Sequence, residues 1–349
     1  MSTRPSSHGP KSGLTIRSAT SPCVNTALPA PMRTILRRPL SMPIMPFLRP
    51  KLAVAAPRMW ISYRFRASQL RPADPAAARR SAPHIDPPNS PKYNRLATMS
   101  AHQFVEVAPW YDELMASVPY EDWVRYVENL VRRFGADVHK VLDLACGTGR
   151  VSAIFAERGY SVVGVDISPS MIEVARSKRQ LNGIRYYCQP MQQLSLGERF
   201  DLVICLFDSI NYVTEPADVR ATFLRVHDHL RPGGLFVFDI NAQAAFELDL
   251  FTQSSFGPGR RLHYSWRASY DPSTRLCSVD MRFMANQDGK RQEFTERHLQ
   301  RCYDVDELVS YLAHANLTCL ATLDAYTMRP AHRHSDRVFF VARREKEDV

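Results

Sequence analysis

The chain has 349 residues, of which 45% are hydrophobic, 10% aromatic and 23% charged, and this composition excludes a fibrous or wholly disordered protein. Its longest apolar runs, such as residues 202–207 and 235–240, are far shorter than the ~20 residues that span a bilayer, so an integral membrane protein is not expected. A formal charge of +10 would indicate nucleic-acid binding if the basic residues belonged to the folded part of the chain, so their distribution along the sequence decides whether this interpretation applies.

The basic charge is concentrated in the first 99 residues. They hold 16 Lys and Arg, two acidic residues and 16 of the 25 prolines, which leaves the rest of the chain with a net charge of −4. Prolines at this spacing interrupt helices, so we expect residues 1–99 to be a disordered leader. Three interpretations are open: the true start is Met99, the leader is a targeting or unstructured segment, or it is an arm that binds nucleic acid or a membrane.

Cysteines are sparse and unpaired in the sequence. None of the seven forms a C-x-x-C motif, and several lie inside apolar runs. The sequence therefore predicts neither a disulfide framework nor a metal site. A reducing compartment is expected, namely the cytoplasm, with organellar targeting by the leader as the lesser alternative.

From about residue 100, strands alternate with helices. Apolar residues at helical spacing predict an amphipathic helix over residues 120–134. Ser168 and Pro169 are typical of the N-cap and first turn of another helix. The remaining predicted elements are strands at 140–144, 160–165, 184–188, 201–207 and 234–240 and helices at 150–158 and 216–230. This alternation predicts an α/β domain over residues 100–349, with a mainly parallel sheet and helices on both faces.

The last hundred residues break the alternation. Turn signals separate three apparent strands, at 262–270, 277–284 and 292–301, so we predict a small antiparallel β insertion at about 258–302. Asp304 followed by Glu307 predicts a capping box for a helix that ends near Ala315. Two final strands, at 318–323 and 337–342, complete the predicted domain.

A glycine turn follows the first predicted strand, in the run VLDLACGTG over residues 141–149. Ligands of open α/β sheets bind at this edge, where glycines let the backbone approach them. The dinucleotide pattern G-x-G-x-x-G would need a glycine where Ser152 stands, so a cofactor without a pyrophosphate is favoured and a nicotinamide oxidoreductase is the last alternative. Asp166 ends the next strand, 17 residues after Gly149, where a carboxylate can accept both hydroxyls of a ribose.

Three segments resemble, in order, the motifs of class I S-adenosylmethionine-dependent methyltransferases: DLACGTG at 143–149, VGVDISPSM at 163–171 and LRPGGL at 230–235. Further segments resemble the bacterial small-molecule branch, which is similar to glycine N-methyltransferase and the amino-sugar N,N-dimethyltransferases. They are WYDELM at 110–115, YEDW at 120–123, FDSINY at 207–212 and ERHLQRCY at 296–303. The resemblance implies a Rossmann-like, mainly parallel seven-stranded sheet.

The resemblance also implies which residues bind the cofactor. Asp143 and the backbone at Ala145, Gly147 and Gly149 would hold its methionyl end, and Asp166 its ribose. The other implied contacts are Ile167, Met171, Met191, Gln192, Leu206, Tyr111 and Tyr120, of which both methionines and Tyr111 are equally compatible with core packing. In many members of the family an Asp at the position of Pro190 binds the adenine amino group. In this chain Gln189, Gln192 or the backbone must take that role.

Methyl transfer from a sulfonium requires mainly positioning, and a base only where the acceptor must lose a proton. Strand alternation places Glu296, His298 and Gln300 on one face. If the insertion covers the site, His298 is a candidate base; otherwise this face is solvated. The candidate catalytic residues are Asp208, Asn211, His298 and Tyr111.

The expected function is transfer of a methyl group from S-adenosylmethionine to an amine or hydroxyl of a small molecule, without a metal. One alternative is an RNA or protein methyltransferase that uses the basic leader, although the acidic remainder disfavours nucleic acid. Another is a regulatory module that binds the cofactor without turnover. The sequence leaves the acceptor and the oligomeric state open.

Overall fold

The computed structural model describes residues 103–178, 183–256, 261–287 and 289–346. The predicted leader, residues 1–99, lies outside the described residues, so its disorder and the three interpretations of it stay predictions. Within the described ranges, no helix is both long and apolar enough to cross a membrane.

The described chain contains eleven strands and seven α-helices. The strands are β1 (Lys140–Leu144), β2 (Ser161–Asp166), β3 (Arg185–Cys188), β4 (Phe200–Cys205), β5 (Leu230–Asn241), β6 (Gln253–Ser255), β7 (Leu262–Asp271), β8 (Leu276–Gln287), β9 (Lys290–Arg301), β10 (Leu317–Asp324) and β11 (Arg337–Arg344). The helices are α1 (Tyr111–Leu114), α2 (Tyr120–Arg133), α3 (Arg150–Glu157), α4 (Pro169–Ser177), α5 (Pro216–His229), α6 (Gln243–Glu247) and α7 (Val305–His314). Short 3₁₀ helices lie at Ala108–Trp110, Met191–Gln193 and Ser209–Tyr212.

Seven strands form one sheet in the order β10-β11-β5-β4-β1-β2-β3. The pairs among β1 to β5 are parallel, and β11 runs antiparallel to both of its neighbours. The predicted fold class, a Rossmann-like and mainly parallel seven-stranded sheet, is confirmed. The order steps outward in both directions from β1 and β4, which places the carboxyl ends of these strands together at the edge where ligands bind in open α/β sheets.

Helices cover both faces of this sheet because successive strand residues point in opposite directions. In β1, Val141 belongs to an apolar cluster with Trp123 and Phe155 of α2 and α3. The next residue, Leu142, belongs to a second cluster with Phe223 of α5. The prediction of helices on both faces is confirmed.

The helix starts follow local chemistry where the sequence predicts it. The Ser168 Oγ accepts a hydrogen bond from the Met171 N–H at 3.3 Å, and Pro169 occupies the first turn of α4. The predicted capping box at α7 is wrong, because Asp304 makes no capping hydrogen bond. Arg275 binds both carboxylates instead, that of Asp304 and that of Glu307, the latter at 3.2 Å. The Arg275 guanidinium, from the turn between β7 and β8, therefore takes the place of the backbone N–H group as the partner of Asp304.

The β insertion is a four-stranded antiparallel sheet in the order β6-β7-β8-β9. The prediction therefore has one strand too few, and it begins the insertion at about residue 258, whereas β6 begins at Gln253. The missed strand β6 has three residues and no alternating apolar side chains, so its sequence carries no strand signal. The strands β7 to β9 lie where the turn signals place them.

Candidate functional site

A cavity of about 220 Å³ lies at the carboxyl ends of β1, β2 and β4. Most of the residues predicted for the site line it: Tyr111, Tyr120, Asp143, Ala145, Gly147, Asp166, Ile167, Met171, Met191, Gln192, Leu206, Asp208 and His298. Gly149 and Asn211 are the two predicted site residues that do not line it. We call the described parts of residues 140–193 the glycine-turn region.

The glycine turn has an open side that faces no atom of the described residues. Ala145 and Gly147 have φ angles of 63° and 53°, in the left-handed region that glycine adopts most easily. A Cβ added to Gly147 would meet no protein atom within 4 Å, so packing does not require the missing side chain. Because Gly147 also lines the cavity, the turn leaves room for a ligand beside its backbone.

Asp166 binds the turn from the end of β2. Its Oδ2 accepts a hydrogen bond from the Gly147 N–H and its Oδ1 one from the Ser168 N–H, both at 2.8 Å. Burial raises the pKa of Asp166, and the two backbone hydrogen bonds oppose that rise. A carboxylate has about four acceptor sites, so Asp166 can accept further hydrogen bonds from a ligand.

Asp143 is a second buried carboxyl in the cavity, 3% exposed. The Ser152 hydroxyl donates to its Oδ2 at 2.5 Å. Burial raises the pKa of Asp143 to about 7, although the Ser152 hydrogen bond opposes the shift. Ser152 is the residue that replaces the third glycine of the dinucleotide pattern, so the departure from that pattern has a structural use.

Gly149 serves packing rather than ligand contact, which corrects its predicted role. Its N–H donates to the Cys146 carbonyl at 2.9 Å, and so is already used within the turn. A Cβ at Gly149 would lie 2.4 Å from the Tyr186 hydroxyl oxygen, and its φ of 77° is left-handed. Gly149 therefore lets Tyr186 of β3 pack against the start of α3.

The loop after β4 is constrained by buried charges. Phe207 and Asp208 have φ angles of 62° and 51°, and their N–H groups donate to the two Asp239 carboxylate oxygens at 2.7 and 3.0 Å. Arg337 binds Asp239 and, at 2.8 Å, the Oδ1 of Asp208. Burial raises the pKa of Asp239 to about 6, although the charge of Arg337 opposes the shift.

Two predicted catalytic residues, Asp208 and Asn211, form hydrogen bonds to protein groups in and around this network. The Asp208 Oδ2 also accepts from the Gln300 amide at 3.0 Å, so both of its oxygens have protein donors. Asn211 is fully buried, and its side chain binds the backbone of Asn241 and Arg301 at 2.9 to 3.1 Å. The prediction that Asn211 is catalytic is corrected: it joins the loop to the two sheets and has no group left for a substrate.

The loop after β3 carries the residues expected to replace the missing adenine-reading Asp. Gln189, Met191 and Gln192 all line the cavity. The Gln189 side-chain oxygen accepts from the Ser195 N–H at 2.9 Å and so stabilises its own loop. Gln192 is the better placed of the two glutamines for contact with a ligand.

Residues of the 103–114 segment line the cavity and contact both β9 and the glycine turn. The Glu296 carboxylate on β9 accepts the backbone N–H groups of Phe104, Glu106 and Val107 at 3.1, 2.8 and 3.0 Å. At the other end of the segment, Asp112 accepts from the Thr148 hydroxyl at 2.6 Å and pairs with Lys178 at 2.7 Å. We call the 103–114 segment together with β6 to β9 the cover.

The predicted face of β9 is buried. Glu296, His298 and Gln300 are 8%, 1% and 4% exposed, so the alternative of a solvated face is wrong. Burial alone would raise the pKa of Glu296, but hydrogen bonds from His298 and from backbone N–H groups lower it below its usual range. The His298 ring contacts the Phe104 ring edge to face, with centroids 4.3 Å apart.

Several lining residues have no counterpart among the predicted site residues. The cover contributes the apolar side chains of Phe104, Trp266, Met281 and Phe283. The signal that could have found the last three is the alternation of apolar residues in β7 and β8, which indicates one buried face. Nothing local in the sequence indicates that this face meets the cavity.

Tyr111 and Tyr120 line the cavity from α1 and the start of α2. Burial raises the pKa of Tyr111, and the neighbouring Tyr120 and Tyr212 reinforce the shift. The Arg150 guanidinium lies 5.0 Å from the centroid of the Tyr120 ring. Both tyrosines therefore line the cavity as neutral aromatic side chains.

The part of the chain that the structure describes contains no group of three or more His, Cys, Asp and Glu placed to hold a metal ion. Its six cysteines, Cys146, Cys188, Cys205, Cys277, Cys302 and Cys319, are all free.

Comparison with known proteins agrees with this architecture. The methyltransferase domain family matches residues 141–234. A protein of Geobacillus sp. strain WCH70 that is named as a methyltransferase is 32% identical over 243 residues, which cover 68% of this chain and 98% of that protein. The dTDP-3-amino-3,6-dideoxy-alpha-D-glucopyranose N,N-dimethyltransferase of Streptomyces fradiae is 32% identical over 137 residues, covering 38% of this chain and 52% of that enzyme.

The structure of an S-adenosylmethionine-dependent methyltransferase from Clostridium acetobutylicum superposes with a TM-score of 0.62 at 27% identity, covering 69% of this chain and 98% of that one. The chain belongs to the S-adenosylmethionine-dependent methyltransferases. The resemblance seen in its sequence motifs is confirmed, and S-adenosylmethionine is its methyl donor.

The site fits this methyl donor. The turn leaves open space beside Gly147, and the buried Asp166 retains acceptor capacity at the end of β2. A second buried carboxyl, Asp143, can face a cationic ammonium group. These are the groups that an amino acid joined to a nucleoside requires.

Proposed function

We propose that this methyltransferase acts on a small molecule and transfers the methyl group to an amine or a hydroxyl. The observation that carries the proposal is the pair of walls around the cavity, with the glycine-turn region on one side and the cover on the other. Hydrogen bonds to Glu296, and the hydrogen bond between Asp112 and Thr148, hold the 103–114 segment across the cavity. Small-molecule sites are typically concave cavities of this kind, which surround most of the ligand's surface.

Two further observations support a small acceptor. The Streptomyces relative carries the name of an enzyme that dimethylates a nucleotide-linked amino sugar. Residues 100–349 have a net charge of −4, which disfavours a polyanionic substrate.

The proposed cofactor contacts follow the lining of the cavity. Asp166 accepts the ribose hydroxyls, and Asp143 with the backbone of Ala145 and Gly147 holds the methionyl end. The adenine lies among Ile167, Met171, Met191 and Gln192, and Leu206, Tyr111 and Tyr120 surround the methyl group.

The chain's own contribution to catalysis is to position the acceptor and to exclude water. Because the methyl group of a sulfonium is already activated, no covalent enzyme intermediate is needed. Tyr111 and His298 are the proposed groups that touch the acceptor. Asp208 lines the cavity, and we infer that it is a positioning residue, because its carboxylate forms a buried ion pair with Arg337 and accepts the Gln300 amide.

The test incubates the full chain with S-adenosylmethionine labelled in the methyl group and with a cell extract separated into small molecules, RNA and protein. We expect label in the small-molecule fraction, and none with Asp166→Ala. Label in RNA or protein instead would contradict the proposal, and binding of the donor without transfer to any fraction would favour the regulatory alternative. Asp137→Ala, whose side chain is 91% exposed, is the matched control.

A further inference from the structure

A histidine and a glutamate on β9 form a buried pair beside the cavity. His298 lines the cavity, and its Nε2 lies 2.7 Å from the Glu296 Oε2. Glu296 is an ionised carboxylate with only acceptor oxygens, so Nε2 carries the proton and donates it. In the neutral imidazole, Nδ1 is then the ring nitrogen that keeps a lone pair.

Glu296 cannot take part in proton transfer itself. Its two oxygens already accept three backbone N–H groups from the 103–114 segment as well as the His298 Nε2. This carboxylate therefore fixes the orientation of the imidazole, and it does so through the same contacts that close the cover. Closure of the segment and orientation of His298 depend on one side chain.

Around Nδ1 the site is weakly polar. Among the hydrogen bonds of the described residues, its one contact is the Tyr212 hydroxyl at 3.4 Å, which is long for an O–H to N hydrogen bond. Burial raises the pKa of Tyr212, and the charge of Asp208 reinforces the shift, so Tyr212 stays neutral. The titratable groups that act on Tyr212 are Asp208, whose charge Arg337 balances, Glu296 and Cys277, and Tyr111 on α1 also lies close to it.

The rest of this end of the cavity is mainly apolar apart from Gln103, and it contains one unfilled donor. Phe104, Met281 and Phe283 line it beside Trp266, which is 4% exposed. The Trp266 indole N–H has no hydrogen-bond partner within the described ranges. A buried donor in such surroundings is normally satisfied, and an oxygen atom of a ligand would satisfy it.

We propose that the acceptor is a hydroxyl compound with an apolar, aromatic body, of the phenol class, and that His298 removes its proton. This inference rests on the small-molecule function proposed above and specifies its acceptor. The acceptor O–H bond breaks as its oxygen bonds to the methyl carbon, and the carbon–sulfur bond breaks with its electron pair left on sulfur. The proton goes to His298 Nδ1 and leaves to water after product release. Glu296 is a positioning residue that stabilises the imidazolium.

The test compares 2-naphthol, which carries a hydroxyl directly on the naphthalene ring, with 2-naphthylmethanamine, which carries an amine one methylene away from the same ring. We expect methylation of 2-naphthol with at least tenfold higher kcat/KM. His298→Asn is expected to lower kcat/KM for 2-naphthol about 100-fold, within the range for loss of a general base, and to remove the acidic limb of its pH profile. Preference for the amine, or full activity of His298→Asn, would overturn the proposal.

The positioning role of Glu296 has its own readout. Glu296→Gln is expected to lower kcat about tenfold and to shift the pH profile, while Glu296→Asp restores part of kcat. Glu293→Gln lies on the same strand with its side chain 63% exposed and is the matched control for both. The same kcat for Glu296→Gln and the wild type would overturn this role.

One measurement does not depend on the acceptor. Nitrogen-15 NMR of the complex with S-adenosylhomocysteine at pH 7.5 should show His298 protonated at Nε2 and bare at Nδ1. A proton on Nδ1 would overturn the proposal whatever the substrate is. If neither naphthalene is methylated and the label enters RNA or protein, the small-molecule function fails, and the protonation state alone decides whether His298 is a base.

Discussion

The glycine-turn region and the cover form the two walls of one cavity, but they are held together over very different distances along the chain. In the glycine-turn region, Asp166 binds Gly147 and Ser152 binds Asp143, so the partners are 19 and 9 residues apart. In the cover, Glu296 binds residues about 190 positions earlier. The glycine-turn region consists of short contiguous motifs, whereas the cover forms only when the fold brings distant segments together.

This difference separates the part of the site that short motifs identify from the part that only the tertiary fold assembles. A contiguous motif can be recognised wherever it occurs, and here it is proposed to bind the methyl donor. The cover combines an N-terminal segment with an inserted sheet, and it lines the end of the cavity where the acceptor is proposed to bind. Substitutions in the two walls should therefore have separable effects on folding, donor binding and closure.

The largest effect is expected for Gly149→Ala in the glycine-turn region. The new Cβ would lie 2.4 Å from the Tyr186 hydroxyl oxygen at a φ of 77°. Left-handed strain and overpacking together should lower the free energy of unfolding by about 3 kcal/mol. Urea denaturation followed by circular dichroism measures the loss.

Gly147→Ala is the matched control for that substitution. It shares the left-handed backbone, with a φ of 53°, but its Cβ would meet no protein atom within 4 Å. We expect it to cost about 1 kcal/mol, from backbone strain alone. Equal losses for the two variants would mean that Tyr186 packing does not determine the need for Gly149.

The next largest effect is expected for Asp166→Ala, on donor binding. The carboxylate holds the Gly147 and Ser168 N–H groups and is proposed to accept the ribose hydroxyls. Hydrogen bonds to a charged group contribute about 1.5 to 3 kcal/mol each, so S-adenosylmethionine should bind at least ~100-fold more weakly. Isothermal titration measures the change beside Asp137→Ala, which should bind like the wild type. A loss below tenfold in a folded Asp166→Ala would exclude Asp166 as the ribose ligand.

Much of the fold could be predicted from the sequence, because each strand of the large sheet is a buried apolar run that ends at a turn signal. The same locality allowed Asp143, Gly147 and Asp166 to be placed at the edge of the sheet where they line the cavity. Asn211 was misjudged because its partners, the backbones of Asn241 and Arg301, lie 30 and 90 residues away. Phe104 and Trp266 escaped prediction for the same reason, since only tertiary packing brings them to the cavity.

A smaller effect is expected for Glu296→Ala in the cover. Phe104, Glu106 and Val107 lose the acceptor of their N–H groups, whereas the contact between Asp112 and Thr148 is retained. Hydrogen exchange at these three amides should become about tenfold faster, equivalent to ~1.4 kcal/mol of local stability. Mass spectrometry of exchanged peptides measures it, with Glu293→Ala as the control. Equally slow exchange would show that Glu296 does not fasten the segment.

The pKa of Glu296 adds a pH dependence to closure of the cover. Because this pKa is lower in the folded protein than in an unfolded chain, the carboxylate stabilises the fold above the ordinary carboxyl pKa. That stabilisation is lost as the pH falls through the folded value. The exchange rates of wild type and Glu296→Ala should therefore converge in acid, after correction for intrinsic exchange.

The smallest effect is expected from pH on donor binding through Asp143, whose pKa is raised to about 7 by burial. Between pH 6 and pH 8 the group changes from mostly protonated to mostly ionised, and the ionised form is the one proposed to bind the ammonium of the methionyl end. The affinity for S-adenosylhomocysteine should therefore rise several-fold, but less than about tenfold, over this range. Titrations in both buffers measure the rise.

Asp143→Asn sharpens this prediction because it keeps the shape of the carboxyl and removes its titration. Its affinity should be independent of pH between 6 and 8. The stability of the wild type should fall relative to Asp143→Asn as the pH rises towards about 7, because the folded pKa lies above the unfolded one. A wild-type affinity that falls as the pH rises would mean that Asp143 binds the donor in its protonated form, and the buried carboxyl would then be a hydrogen-bond donor rather than a counterion.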